Sequence, residues 1–204
     1  MKKYTFTCFV LVLCFLMPDV SLAVQQTDKC QYDIDSDDIT IEGGLWVKNG
    51  SPLTGLLCGY KNGMIVFATP MIKSKTEGIV KIYYESGKLN EEIPYKNDKI
   101  EGIKKEYYES GKLKAEIPYK NDKIEGIYKH YNEDGTLSQE TTCKNDLKEG
   151  TMNRYRKNGK MFATITYKNN SPVSGMCHHN NGRTSPLTNA ELANWENGLP
   201  ITCD

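Results

Sequence analysis

The side chains with the most chemical reach in this chain are few, and each can be weighed as a site. Histidine occurs at His130, His178 and His179, and Cys177-His178-His179 sets three possible metal donors in a row. Neighbouring residues of a strand point to opposite faces, and a disulfide at Cys177 would remove its thiolate, so the trio makes a poor ligand set. Cys143 and His130 have the chemistry of a nucleophile and its base, but the strand register argued below sends Cys143 inward and His130 outward. Glu77, Glu101, Glu125 and Glu149 recur every 24 residues, with equivalents two strands, about 9.6 Å, apart. Asp33, Asp35, Asp37 and Asp38 crowd like a calcium loop. Counted from Asp33, the sixth residue is Asp38 where such a loop needs glycine, and the twelfth is Gly44 where it needs a bidentate glutamate. Catalysis needs one asymmetric constellation, and this chain supplies copies. We expect no catalytic residue, no cofactor and no metal.

The copies come from a tandem repeat. Tyr83 to Glu106 and Tyr107 to His130 agree at 20 of 24 positions without a gap. One glycine series, Gly63, Gly87, Gly111, Gly135, Gly159 and Gly182, is spaced 24, 24, 24, 24 and 23; a second runs Gly55, Gly78, Gly102, Gly126, Gly150 and Gly175. Between glycines the apolar pattern has period two: Leu113, Ala115, Ile117 and Tyr119 alternate with Lys114, Glu116, Pro118 and Lys120, which marks strands. A period of this length makes a stack of small units that complete one another's apolar faces. The expectation is an all-β fold, an elongated single-layer antiparallel meander of about six 24-residue β-hairpin repeats with a short C-terminal capping helix. Twelve strands at about 4.8 Å give a ribbon on the order of 55 Å long.

The register depends on the turn after Tyr108. A two-residue turn at Ser110 and Gly111 would put Lys104 and Glu106 on one face with Ala115 and Ile117. A three-residue loop, Glu109 to Gly111 with glycine left-handed, pairs Tyr107 with Leu113 and extends to Ile103 opposite Ile117, giving an apolar face. The second predicts positive φ at Gly87, Gly111, Gly135 and Gly159. It displays Tyr84, Tyr108, His130, Lys104, Glu106, Lys114 and Glu116 on the second face, where tyrosines among charges suit contact with a macromolecule. Tyr84, Tyr108, Lys104 and His130 are the candidate partner-binding residues.

Residues 1–23 read as an export signal: Lys2 and Lys3, a largely apolar stretch Thr5 to Met17, then Ser21-Leu22-Ala23. Residues 24–43 form an acidic tail and N-terminal cap, 44–182 the repeats, and 183–204 a C-terminal cap. After cleavage 24 basic and 25 acidic residues remain, a balance that speaks against nucleic acid, and no further segment could span a membrane as a helix. The mature chain keeps five cysteines. Pairing Cys30 with Cys58 and Cys177 with Cys203 staples each flank to its nearest repeat, though other connectivities are compatible with the sequence. Cys143 is left over on the inward face, at the position of Tyr95, Tyr119 and Tyr167, as a small buried apolar residue. Thr188 and Glu191 have capping-box spacing ahead of Leu192 and Trp195, and Gly198 with Pro200 follows, so a helix is expected over 188–197.

Through Tyr83-Tyr84-Glu85-Ser86-Gly87-Lys88, Tyr95-Lys96-Asn97 and Glu101-Gly102, repeated in the next copy, the chain resembles the bacterial MORN-repeat variant family over about Trp46 to Gly182. It departs from the family pattern at Asp98 and Asp122, where glycine is usual after asparagine. The resemblance implies a non-enzymatic binding module, antitoxin- or immunity-like, that neutralises a partner protein. The alternative it leaves is an envelope or surface module contacting peptidoglycan, glycan or lipid. With the export signal, the expected location is the periplasm or the outside of a bacterial cell.

Overall fold

A computed structural model describes residues 30–196 and 201–203; the expected export signal at 1–23 and the first part of the tail lie outside the described residues. Among the described residues one antiparallel meander dominates, a 16-stranded sheet entered through a short parallel pairing of Tyr32–Asp33 with Gly55–Lys61. Six hairpins follow one another: Gly55–Lys61 with Met64–Ile72, Gly78–Tyr83 with Leu89–Lys96, Gly102–Tyr107 with Leu113–Lys120, Gly126–Tyr131 with Leu137–Lys144, Leu147–Tyr155 with Met161–Lys168, and Ser171–His178 with Thr184–Pro186. Leu45–Lys48 does not join this sheet. It pairs with Ile39–Glu42 and Ser51–Pro52 in a separate three-stranded sheet. No helix among the described residues is long and apolar enough to cross a membrane.

Two turn types alternate along the stack. At one edge Asn97-Asp98, Asn121-Asp122, Asn145-Asp146 and Asn169-Asn170 have positive φ at both residues, 49 to 69°, the backbone of a two-residue hairpin turn whose twist matches its strands. Aspartate stands where glycine is usual because its side chain has a further task. Asp98, Asp122 and Asp146 accept the N–H of Thr76, Ile100 and Ile124 in the preceding repeat at 2.6 to 2.7 Å, and Asn170 does the same for Lys148. Glu77, Glu101, Glu125 and Glu149 answer from the preceding repeat, accepting the N–H of Asn97, Asn121, Asn145 and Asn169. The recurring carboxylates are thus splints between neighbouring turns.

The opposite edge carries the three-residue loops. Tyr108 N–H donates to Lys112 O and Gly111 N–H to Tyr108 O, each at 2.8 Å, and φ is 78, 87, 89 and 77° at Gly87, Gly111, Gly135 and Gly159. Tyr107 pairs with Leu113, but the register then slips, so that Glu106 lies opposite Ala115 and Lys104 opposite Ile117. The slip recurs at Ile82/Tyr83, His130/Tyr131 and Arg154/Tyr155. One extra residue in a strand exchanges every later side chain between faces. The expected partnership of Ile103 with Ile117 is therefore corrected: Ile103 faces Pro118 and is 53% exposed, while Lys104 and Glu106 share the face of Ala115 and Ile117.

Both ends of that face are roofed. At the N-terminal end Ile39 and Leu53, from the small sheet and the segment after it, pack on Leu57 and Met71 with Tyr32, Ile34 and Trp46 around them. At the C-terminal end the helix Asn189–Glu196 and the residues after it bring Leu187, Leu192, Ile201 and Cys203 onto Met152, Ala163, Ile165, Tyr167 and Cys177. The helix starts with reciprocal caps: Thr188 N–H donates to Glu191 Oε2 at 2.7 Å, and Glu191 N–H to Thr188 Oγ1 at 3.2 Å. The strand beneath must be bare, since a Cβ on Gly175 would stand 2.5 Å from Leu187 Cδ1. Disulfides Cys30–Cys58 and Cys177–Cys203 close loops of sequence separation 28 and 26; the second ties the C-terminal roof to its repeat, while the first packs with Leu56, Ala68 and Tyr83 on the outer face.

Candidate binding face

Between the roofs the inner face lies open, and its floor can be read row by row from the register. One row runs Val80, Ile93, Lys104, Ile117, Tyr128, Thr141, Met152 and Ile165; the next runs Ile82, Glu91, Glu106, Ala115, His130, Gln139, Arg154 and Ala163. The ends of both rows are mainly apolar, and their middle carries charged and polar side chains. Glu91 and Glu106 stand directly opposite one another, an arrangement that repels unless a cation intervenes. Lys104 Nζ is that cation, 3.0 Å from Glu91 Oε2 and 3.0 Å from Glu106 Oε1, with Lys114 Nζ 3.7 Å from Glu106 Oε2. Side-chain exposure of 16% for Lys104 and 21 to 23% for the glutamates places the cluster between surface and core. Burial pulls the Lys104 ammonium down, but its bonds to Glu91 and Glu106 outweigh this and hold its pKa above the ordinary lysine value.

Aromatic and titratable groups frame the cluster. Burial pushes the Tyr119 and Tyr128 hydroxyls up, and it pulls the His130 imidazole down, with the Lys114 charge adding to the effect. His130 Nδ1 lies 2.9 Å from Ser138 Oγ. Neutral imidazole, phenol and paired carboxylates make a surface able to donate and accept hydrogen bonds without a large net charge.

The four partner-binding candidates are separated by the register slip. Lys104 and His130 sit on this inner floor, not on the face expected for them. Tyr84 and Tyr108 stand just before the three-residue loops and donate their hydroxyls to the carbonyls of Tyr107 and Tyr131 in the next repeat, at 2.6 and 2.7 Å. Both are half-buried and act as staples between hairpins. Glu116 goes to the outer face beside Lys105 and Lys129. Tyr128 was missed as a floor residue; Val80 and Ile82, which share the parity of Lys104 and Glu106, carried the signal.

The catalytic alternatives resolve by distance. His130 and Cys143 share the inner face, contrary to the expected register, yet Cys143 lies opposite Gly126 and His130 opposite Gln139. Four residues of strand, about 13 Å, separate them. Cys143 is buried, which pushes its thiol up. His178 Nε2 meets Thr164 Oγ1 at 3.1 Å and His179 Nε2 meets Ser185 Oγ at 2.7 Å, and Cys177 is in its disulfide. Among the described residues no group of three or more His, Cys, Asp or Glu is placed to hold a metal ion.

Comparison with known proteins agrees with the repeat. The MORN repeat variant matches residues 76–97, 100–121, 124–145 and 148–169, each match starting just before a first-strand glycine and ending in an Asn-Asp or Asn-Asn turn. No curated protein matches the chain. A solved structure, the crystal structure of a GtfA/B complex bound to UDP and GlcNAc, is similar over 58% of this chain and 24% of that one, at 7% identity and a TM-score of 0.26. The chain thus spans about a quarter of that protein's length. MORN repeats are commonly protein- or membrane-binding modules. Four units in tandem between residues 76 and 169 thus match the MORN repeat variant, and this stretch of the chain is an array of such repeats.

Proposed function

We propose that this chain is an exported, non-enzymatic binding protein whose inner floor docks a partner protein, in the manner of an immunity or antitoxin-like factor. The observation that carries the reading is the open floor between two roofs, where Glu91, Lys104, Glu106, Lys114, Tyr128 and His130 gather in the middle of a face whose ends are mainly apolar. A sheet evolved only to fold would continue Val80, Ile82, Met152 and Ile165 through its middle. Charge in the middle costs stability and supplies directional contacts, and tyrosine adds contact area at low entropic cost. The two disulfides and the Lys2-to-Ala23 leader pattern support export.

The test uses the mature chain immobilised and exposed to bacterial envelope extract, beside Lys104→Glu and Tyr128→Ala variants with unchanged circular dichroism. A saturable protein partner retained by the wild type and lost by both variants is the expected result. Retention by all three moves the site off the floor. Sedimentation with purified cell wall or liposomes, and no protein partner, replaces the reading with an envelope polymer or lipid contact.

A further inference from the structure

The outer face carries a second pattern, independent of the floor and of the function proposed for it. Ile79, Ile103 and Ile127 are 42, 53 and 52% exposed. They form one file across the sheet, because Ile79 pairs with Pro94, Ile103 with Pro118 and Ile127 with Thr142, and Pro94 and Pro118 lean against Gly102 and Gly126 of the following hairpins. Beside it runs a file of charge that alternates without a break: Lys81, Glu92, Lys105, Glu116, Lys129, Glu140. A third file holds Tyr107 and Tyr131, whose hydroxyls donate to Glu92 and Glu116 at 2.7 and 2.9 Å.

We infer that this face pairs with the same face of a second copy of the chain, about a two-fold axis parallel to the strands and passing between Gly102–Tyr107 and Leu113–Lys120. The alternation gives the argument. In each file odd and even strands differ in kind, isoleucine against proline and lysine against glutamate. A two-fold axis between two adjacent strands sets each odd strand of one copy over an even strand of the other. Ile103 then lies over Pro118 and Ile127 over Pro94 of the second copy. Lys105 meets Glu116, Lys129 meets Glu92, and Lys81 meets Glu140. The six strands are matched in charge at every position, and the repeat distance agrees because both partners are the same ladder. An isologous contact of this kind closes at two copies.

Size sets the strength. Six strands at about 4.8 Å and three files at about 6.8 Å cover roughly 600 Å² per copy, near 1,200 Å² in total. That is the lower limit of specific interfaces, so the dimer is concentration-dependent. Twisted sheets packed face to face cross at about 30°, which makes the contacts nearest the axis, Ile103 with Pro118 and Lys105 with Glu116, the closest ones.

Sedimentation equilibrium of the disulfide-intact mature chain tests this. A monomer–dimer equilibrium is expected, weakened tenfold or more by Ile103→Glu with unchanged circular dichroism. Lys105→Glu sets glutamate against Glu116 of the second copy twice, and Glu116→Lys sets lysine against Lys105 twice, so each variant alone should be monomeric. Mixed, the two are complementary at both contacts and should form a heterodimer. Rescue on mixing cannot come from the fold of either chain. A wild type that stays monomeric to about 100 μM, a dimer indifferent to Ile103→Glu, or no heterodimer on mixing overturns the inference. Loss of partner capture in Ile103→Glu from a monomeric wild type assigns the file to a different protein.

Discussion

Replacing Asp122 separates two contributions that coincide at one turn residue. Its φ is +66°, and its Oδ1 accepts Ile100 N–H at 2.7 Å. Asp122→Ala loses the hydrogen bond, worth about 1 kcal/mol at an exposed site, and puts a residue without a local polar contact into the left-handed region at a further cost of about 1 kcal/mol. Asp122→Gly loses the bond and gains unfolded-chain entropy but relieves the backbone, leaving a loss of about 1 kcal/mol. Asp122→Asn should be near neutral. The chain makes that substitution itself, for Asn170 has φ +69° and accepts Lys148 N–H at 2.7 Å. The expected order of stability is Asp, then Asn close behind, then Gly, then Ala. With a urea slope of about 2 kcal/mol/M, the alanine variant's midpoint falls by about 1 M. Since repeat stacks unfold in parts, amide exchange at Ile100 provides the local reading: fast in the Ala and Gly variants, slow in wild type and Asn. A glycine variant as stable as wild type, or an asparagine variant as weak as alanine, refutes the splint account of these turns.

Two further outcomes follow from the floor and the outer face. Lys104→Met leaves Glu91 and Glu106 opposed without their cation and should cost about 1 to 2 kcal/mol after allowance for partial solvation, seen as a lower thermal midpoint whose deficit shrinks in 1 M salt; an unchanged midpoint at low salt removes the cluster's structural role. The Tyr107 and Tyr131 hydroxyls are pushed up to about 12, first by burial and then by Glu92 and Glu116. Raised folded values favour the protonated form, so this stability is complete below about pH 10 and is lost as pH rises towards 12; a double phenylalanine variant should show a shallower alkaline decline in denaturation midpoint, and an identical decline contradicts the assignment.

The meander, the hairpin count, the left-handed loop glycines and the capping box at Thr188 were legible because each is written in local spacing. Faces were not. Reading them from Gly102 to Lys120 weighs Lys104 and Glu106 as surface residues, and an extra residue at Lys114 leaves no mark in composition. Val80 with Ile82 and Met152 with Arg154 occupy the same strand positions, and the first pair alone favours the observed register. The small sheet at Ile39–Pro52 was hidden for a different reason: Lys-Asn-x-Ser-Pro at residues 48–52 copies the repeat's wording at 168–172, while its partner is a local strand, Ile39–Glu42. The candidate site inherited the face error, which sent Lys104 and His130 outward.

The splints between turns reach only one unit along: Asp122 to Ile100, Glu101 to Asn121, and so on down the edge. Every duplication of 24 residues would bring its own donors and acceptors and meet an identical neighbour, while the tethered termini stay as they are. Length is therefore a free variable of this architecture, adjustable in increments of about 9.6 Å by unequal crossing-over within a nearly identical stretch of coding sequence. A lineage could lengthen or shorten the open span to fit a changing target and leave every side chain at its ends untouched.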